Sequence, residues 1–84
     1  NITNQIESTL NDYFSPSFLS VIDVSEKHKG HGGYKKGGGS HFEIKINSIL
    51  LVGLSRIEAH RLINSILKNH WEAGIHSISI NANN

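Results

Sequence analysis

Eighty-four residues make one domain at most, and a chain this short buries only about 60 to 65% of its unfolded surface, which leaves little room for a deep enzyme pocket. Eight Lys and Arg against seven Asp and Glu give a formal charge of +1, too balanced for non-specific nucleic-acid binding as the main task. The chain contains no Cys, which removes disulfides and thiolate metal sites together and fits a reducing compartment. No apolar run approaches the roughly 18 residues of a membrane span and no leader-like start is read. The expectation is therefore a cytoplasmic protein, or one of another reducing intracellular compartment, without membrane contact and monomeric when alone.

Ile6, Leu10, Tyr13 and Phe14 fall at helical spacing, Asn4 with Glu7 three residues later offers a cap, and Pro16 stops the pattern, so a short first helix is predicted. Leu19 to Val24 is rich in β-branched and apolar residues and reads as a strand. Glu26 to Ser40 follows as a connection about three times the usual hairpin length, with a Gly37-Gly38-Gly39 run that predicts high mobility from Gly30 to Gly39. His41 to Asn47 alternates strictly, Phe42, Ile44 and Ile46 against His41, Glu43, Lys45 and Asn47, and forms the second strand of a long-looped hairpin.

Ser55 and Glu58 make a capping box, and Ala59, Leu62, Ile63, Ile66 and Leu67 repeat with helical period before Gly74 ends the segment. Ile75 to Ile80 alternates again, which starts the third strand at His76 with Ile78 and Ile80 on the same face. A strand, a helix and a strand in succession make a right-handed crossover, so the second and third strands should be parallel. The predicted fold is α+β: α-β-β-α-β over residues 1–84, a three-stranded mixed sheet with the helices on one face and a mobile His/Gly/Lys-rich loop at 26–40.

Three of the six histidines, His28, His31 and His41, crowd the connection around that loop. Imidazole both titrates near neutral pH and binds borderline metals, so such a cluster points to ligand donation. Taken singly, each has a plainer reading. His28 and His31 form His-x-x-His, which alone does not close a tetrahedral zinc site. His41 lies opposite Phe42, Ile44 and Ile46 by strand parity, which places it on the open face or edge of the sheet. His60 and His70 read as packing or capping residues, Trp71 as the lid of the core, and His76 by itself as a half-buried residue satisfied by a backbone carbonyl. Gly30-His31-Gly32-Gly33 satisfies Gly-x-x-Gly but connects strands rather than helices, and it lacks the Gly-Lys-Ser/Thr ending of a P-loop. Lys27, Lys29, Lys35 and Lys36 with Arg56, Arg61 and Lys68 offer a basic surface for phosphates or an acidic partner, set against the reading of a solvated loop. No nucleophile elbow, paired carboxylate motif or closed metal triad is present, so an enzyme is not expected.

Four blocks carry a resemblance: Asp23-Val24-Ser25-Glu26-Lys27-His28-Lys29-Gly30-His31, then Gly39-Ser40-His41-Phe42, Ala59-His60-Arg61-Leu62-Ile63 and Ile75-His76-Ser77-Ile78. Together they resemble the signature blocks of the BolA family across nearly the whole chain. The resemblance implies a fold similar to the type II KH domain and a non-enzymatic partner of monothiol glutaredoxins that shares a [2Fe-2S] cluster in iron-sulfur trafficking or iron sensing. It also implies a second reading, a stress-response DNA-binding transcription regulator working through the basic loop and the polar side of the long helix. By position, the family's cluster-ligating histidine falls on His76 and its loop donor on His28, with His31 as the substitute donor. The family's usual Asn-Glu-Ser before the loop reads Asp23-Val24-Ser25 here, and its Arg-His-Arg reads Ala59-His60-Arg61, one positive charge fewer. A two-iron cluster wants four ligands and this chain has no thiol, so thiolates must come from outside, from a glutaredoxin Cys and the glutathione it carries. No cofactor is expected in the isolated chain.

Overall fold

The computed structural model describes residues 1–28 and 38–83. The elements run α1 (Ile2–Phe14), β1 (Phe18–Asp23), a 3-10 turn (Ser25–His28), β2 (His41–Asn47), a second 3-10 turn (Ile49–Leu51), α2 (Arg56–Ile66), α3 (Lys68–Glu72) and β3 (Ser77–Asn83). The expected mobility of Gly30 to Gly39 and the Gly-x-x-Gly motif at 30–33 fall wholly or mostly outside the described residues.

Helix α1 starts a turn earlier than its sequence suggests. Asn1 is the cap, its side-chain oxygen accepting the Asn4 N–H at 3.0 Å, so the expected Asn4 cap lies inside the helix. Ser15 ends it in the left-handed region at φ 43, donating its N–H to the Asn11 carbonyl, and Pro16 then forbids a further turn. Ile6, Leu10 and Phe14 are buried, whereas Tyr13, expected in the apolar stripe, is 47% exposed. One residue displaces a side chain about 100° around a helix, so Tyr13 falls off the buried face. It meets Phe14 edge-on, ring centroids 4.8 Å apart.

Helix α2 forms where expected because its capping box closes: Ser55 Oγ accepts the Glu58 N–H at 3.1 Å and the Glu58 carboxylate accepts the Ser55 N–H at 2.8 Å. The single helix predicted to run to Gly74 is interrupted at Leu67, whose φ of −92 and ψ of 10 leave helical geometry. Leu67 is fully buried, and its carbonyl accepts the N–H groups of both His70 and Trp71, a tightening of the turn that starts α3. The break sets His70 Nε2 3.0 Å from Thr9 Oγ1 of α1 and lets Trp71 Nε1 donate to Asn64 Oδ1 at 3.3 Å. These contacts fit the capping and packing roles read for His70 and Trp71.

The sheet has the order β1-β2-β3, with β1 antiparallel to β2 and β3 parallel to it. The central strand keeps the predicted bounds; β1 lies one residue earlier than expected and β3 starts at Ser77 rather than His76. Phe42, Ile44 and Ile46 are at most 1% exposed and pack with Ile6, Leu10, Phe14, Ala59, Ile63 and Leu67, so both long helices cover one face. Register places Ile22 beside Glu43 and Ser20 beside Lys45 on the other face. The second 3-10 turn was not legible in the periodicity. Ser48 holds it: its hydroxyl donates to the Phe14 carbonyl at 2.8 Å and accepts the Leu50 N–H at 3.2 Å, tying the end of β2 to the end of α1.

Candidate metal-donor site at the head of the third strand

The parallel pairing of β2 and β3 brings His76 to the start of β2, beside the turn that opens the long connection. His76 is exposed, not half-buried, and lies one residue before the strand. Its N–H donates to the Ser40 carbonyl at 2.8 Å, and the same oxygen accepts the Ser77 N–H at 3.1 Å. The backbone of this histidine is therefore fixed while its ring faces solvent. His28 is the last residue of the first 3-10 turn, at the root of the loop. His31 lies outside the described residues, as do Lys29, Lys35 and Lys36.

His41 departs from its expected place on an open face or edge. Strand parity does put it opposite Phe42, but it is only 3% exposed. The Ser25–His28 turn packs against β2, and the His76 ring lies alongside at a centroid distance of 5.4 Å with the planes inclined by 48°. Parity reports which way a side chain leaves the sheet; it cannot report that a turn will fold back over it.

Below these rings is a buried set of hydroxyls that the sequence reading missed. Ser25 is 1% exposed and Ser40 0%. Ser25 Oγ donates to Asp23 Oδ1 and accepts the N–H groups of Ser40 and His41, both at 3.1 Å. A hydroxyl has one proton and two lone pairs, so this usage is complete. Ser40 Oγ lies 3.2 Å from Ser25 Oγ and 2.8 Å from His41 Nδ1. Asp23 Oδ1 also accepts the Ser25 N–H at 2.9 Å, and Asp23 Oδ2 accepts the Gly39 N–H at 2.9 Å from the far root of the loop. Partial desolvation works to raise the Asp23 carboxyl, but the Ser25 hydroxyl and N–H, the Gly39 N–H and the nearby His41 outweigh it and hold the pKa below 3.8. Gly38 is needed for this approach: its φ is 93, and a Cβ there would lie 2.6 Å from Asp23 Oδ2. The signal available in the sequence was a short polar residue at each root of the loop, Asp23 and Ser25 on one side and Ser40 on the other.

The basic residues do not gather into one cluster among those described. Lys27 stands 3.9 Å from Glu43 across the open face, an exposed pair of small energetic weight. Arg56, Arg61 and Lys68 are exposed along α2 and the start of α3. Arg56 and His60 also line an open groove of about 620 Å³ between α2 and the later part of β3, with Leu51, Ala59, Ile80 and Ala82 among its walls. The Ser55 N–H, its hydroxyl and Arg61 lower the Glu58 pKa, so this carboxylate stays ionised in its cap. The groove lies toward the end of β3, away from His76. Ile49, Val52 and Ile57, more than half exposed, leave the neighbouring surface apolar.

Imidazole is a donor suited to borderline metals. Among the described residues no group of three or more His, Cys, Asp or Glu side chains is arranged to hold a metal ion. No helix among them is long and apolar enough to cross a membrane.

The comparisons with known proteins bear on the whole fold. The family model described as BolA-like protein matches residues 10–84. A BolA-like protein of Dictyostelium discoideum is 42% identical over 80 residues, covering 94% of this chain and 67% of its own length. The DNA-binding transcriptional regulator BolA of Vibrio cholerae is 35% identical over 79 residues, covering 94% of this chain and 71% of its own. The solved BolA domain of SufE1 from Arabidopsis thaliana superposes with a TM-score of 0.85 at 32% identity, covering 96% of this chain and 88% of that one. Sequence, strand order and superposition agree, and the chain belongs to the BolA-like protein family.

Proposed function

We propose that this protein is a non-enzymatic adaptor that binds a monothiol glutaredoxin and takes a [2Fe-2S] cluster as shared cargo for iron-sulfur trafficking or iron sensing. The observation that carries the reading is the pairing of an exposed His76 with a fixed backbone and a chain that has no thiol of its own. His76 and His28 would ligate one iron, with His31 substituting for His28 if the loop is displaced; the partner's Cys and glutathione would supply the thiolates. Imidazole ligates only when neutral, so protonation competes with binding and acid favours release.

The test is reconstitution of the chain with a monothiol glutaredoxin, glutathione, iron and sulfide, followed by visible circular dichroism of wild type, His76→Ala and His28→Ala. Loss or reshaping of the mixed-complex spectrum in His76→Ala is expected. An unchanged spectrum would remove His76 from the ligand set.

A second reading is favoured by the name of the Vibrio cholerae relative. As a DNA-binding regulator the chain would use Arg56, Arg61 and Lys68 on the helices with Lys27, Lys29, Lys35 and Lys36 on and beside the loop. Several phosphate contacts must give a steep negative dependence of affinity on salt. Duplex binding with a flat salt response would leave those residues without that role.

A further inference from the structure

We infer that Ser25 and Ser40 are positioning residues, a buried hydrogen-bonded knot that fixes the His76 backbone relative to the turn ending at His28. This inference rests on the proposed role of those two histidines as donors. Its basis is connectivity. Ser40 is the point at which three chain segments meet: its N–H is given to Ser25 Oγ, its carbonyl takes the N–H groups of His76 and Ser77, and its hydroxyl contacts His41 Nδ1. Ser25 opens the turn that His28 closes. Asp23 anchors Ser25 through both its N–H and its hydroxyl, and through Gly39 it also holds the far root of the loop.

Two properties make this more than ordinary loop closure. Both hydroxyls are sealed from water, so deleting the one on Ser25 strands the Ser40 and His41 N–H groups where water cannot replace it. The residues joined are also distant in sequence, and the knot supplies what chain proximity cannot: one register for two donors borne on different segments. Metal sites depend on such outer contacts, whose loss commonly lowers metal affinity 10- to 100-fold while the ligands remain.

The experiment compares Ser25→Ala with Ile63→Val, a core variant remote from the knot that controls for general loss of stability. Amide hydrogen exchange is measured on the chain alone, and visible circular dichroism on the mixture with glutaredoxin, glutathione, iron and sulfide. In Ser25→Ala the His76 and Ser77 amides should exchange about tenfold faster than in the control, and the mixed-complex signal should fall at least about fivefold further. Asp23→Asn, at an exposed position, should show both effects more weakly and carries the test if Ser25→Ala does not fold. Exchange and spectrum matching those of Ile63→Val would overturn the inference, as would faster exchange with an intact spectrum. If wild type itself forms no mixed complex, the adaptor reading fails. The exchange ratio then still decides whether the knot fixes His76.

Discussion

His41 and His76 place their rings side by side at 5.4 Å, yet His41, at the start of β2, is buried while His76 is exposed. The same side-chain type therefore sits in two environments within one contact. His41 is part of the framework, bonded through Nδ1 to Ser40 Oγ, and His76 is held by its backbone and free to donate from its ring.

Replacing the two should separate a buried imidazole from an exposed one in their effect on stability. His76→Ala is expected to change unfolding free energy by no more than about 0.5 kcal/mol, the usual range for an exposed site. His41→Ala leaves the buried Ser40 hydroxyl short of a partner and should cost about 1 to 3 kcal/mol. Urea unfolding of both variants measures the difference. Equal losses would show that the solvent-facing ring is also structural.

The Asp23 carboxylate should make the fold acid-sensitive in a defined window. Its pKa is lowered in the folded state, so the stability it contributes is complete above the ordinary value of 3.8 and is lost as pH falls through the lower folded value. Asp23→Asn, neutral at every pH, should therefore unfold at lower urea than wild type at about pH 5 and above. The gap should narrow as pH falls below 3.8. A gap independent of pH would assign the effect to shape rather than charge.

At the opposite end of the sheet, Ser48→Ala should be costly for so small a change. It removes the donor to the Phe14 carbonyl and the acceptor for Leu50 N–H at a site only 2% exposed. A loss of about 1 to 3 kcal/mol is expected from urea unfolding, and the solvent-exposed Ser65→Ala should show almost none of it.

Burial also ranks the apolar residues. Ile46 is 0% exposed and central to the core, so Ile46→Ala should cost about 2 to 5 kcal/mol, a large share of the stability of a domain this size. Ile57, 62% exposed on α2, should tolerate Ala within about 0.5 kcal/mol. Thermal unfolding of the pair checks the ranking, and a marked loss in Ile57→Ala would mean that its exposed face is covered in solution.

The sequence by itself determined whatever depends on neighbours along the chain. Strict alternation from His41 to Asn47 specified the central strand to the residue, and Ser55 with Glu58 specified the start of α2, because both signals involve groups at most a few positions apart. The lack of cysteine determined that any metal chemistry of this chain uses nitrogen or oxygen donors. Only the tertiary structure decided the break at Leu67, the burial of His41 and the Ser25–Ser40 knot. Each involves partners 15 or more positions apart, as in the bond from Ser40 N–H to Ser25 Oγ and the contact of His70 with Thr9. Local periodicity carries no record of such distant partners. That is why the candidate donor His76 was legible through its resemblance block, while the residues that hold it in place were not.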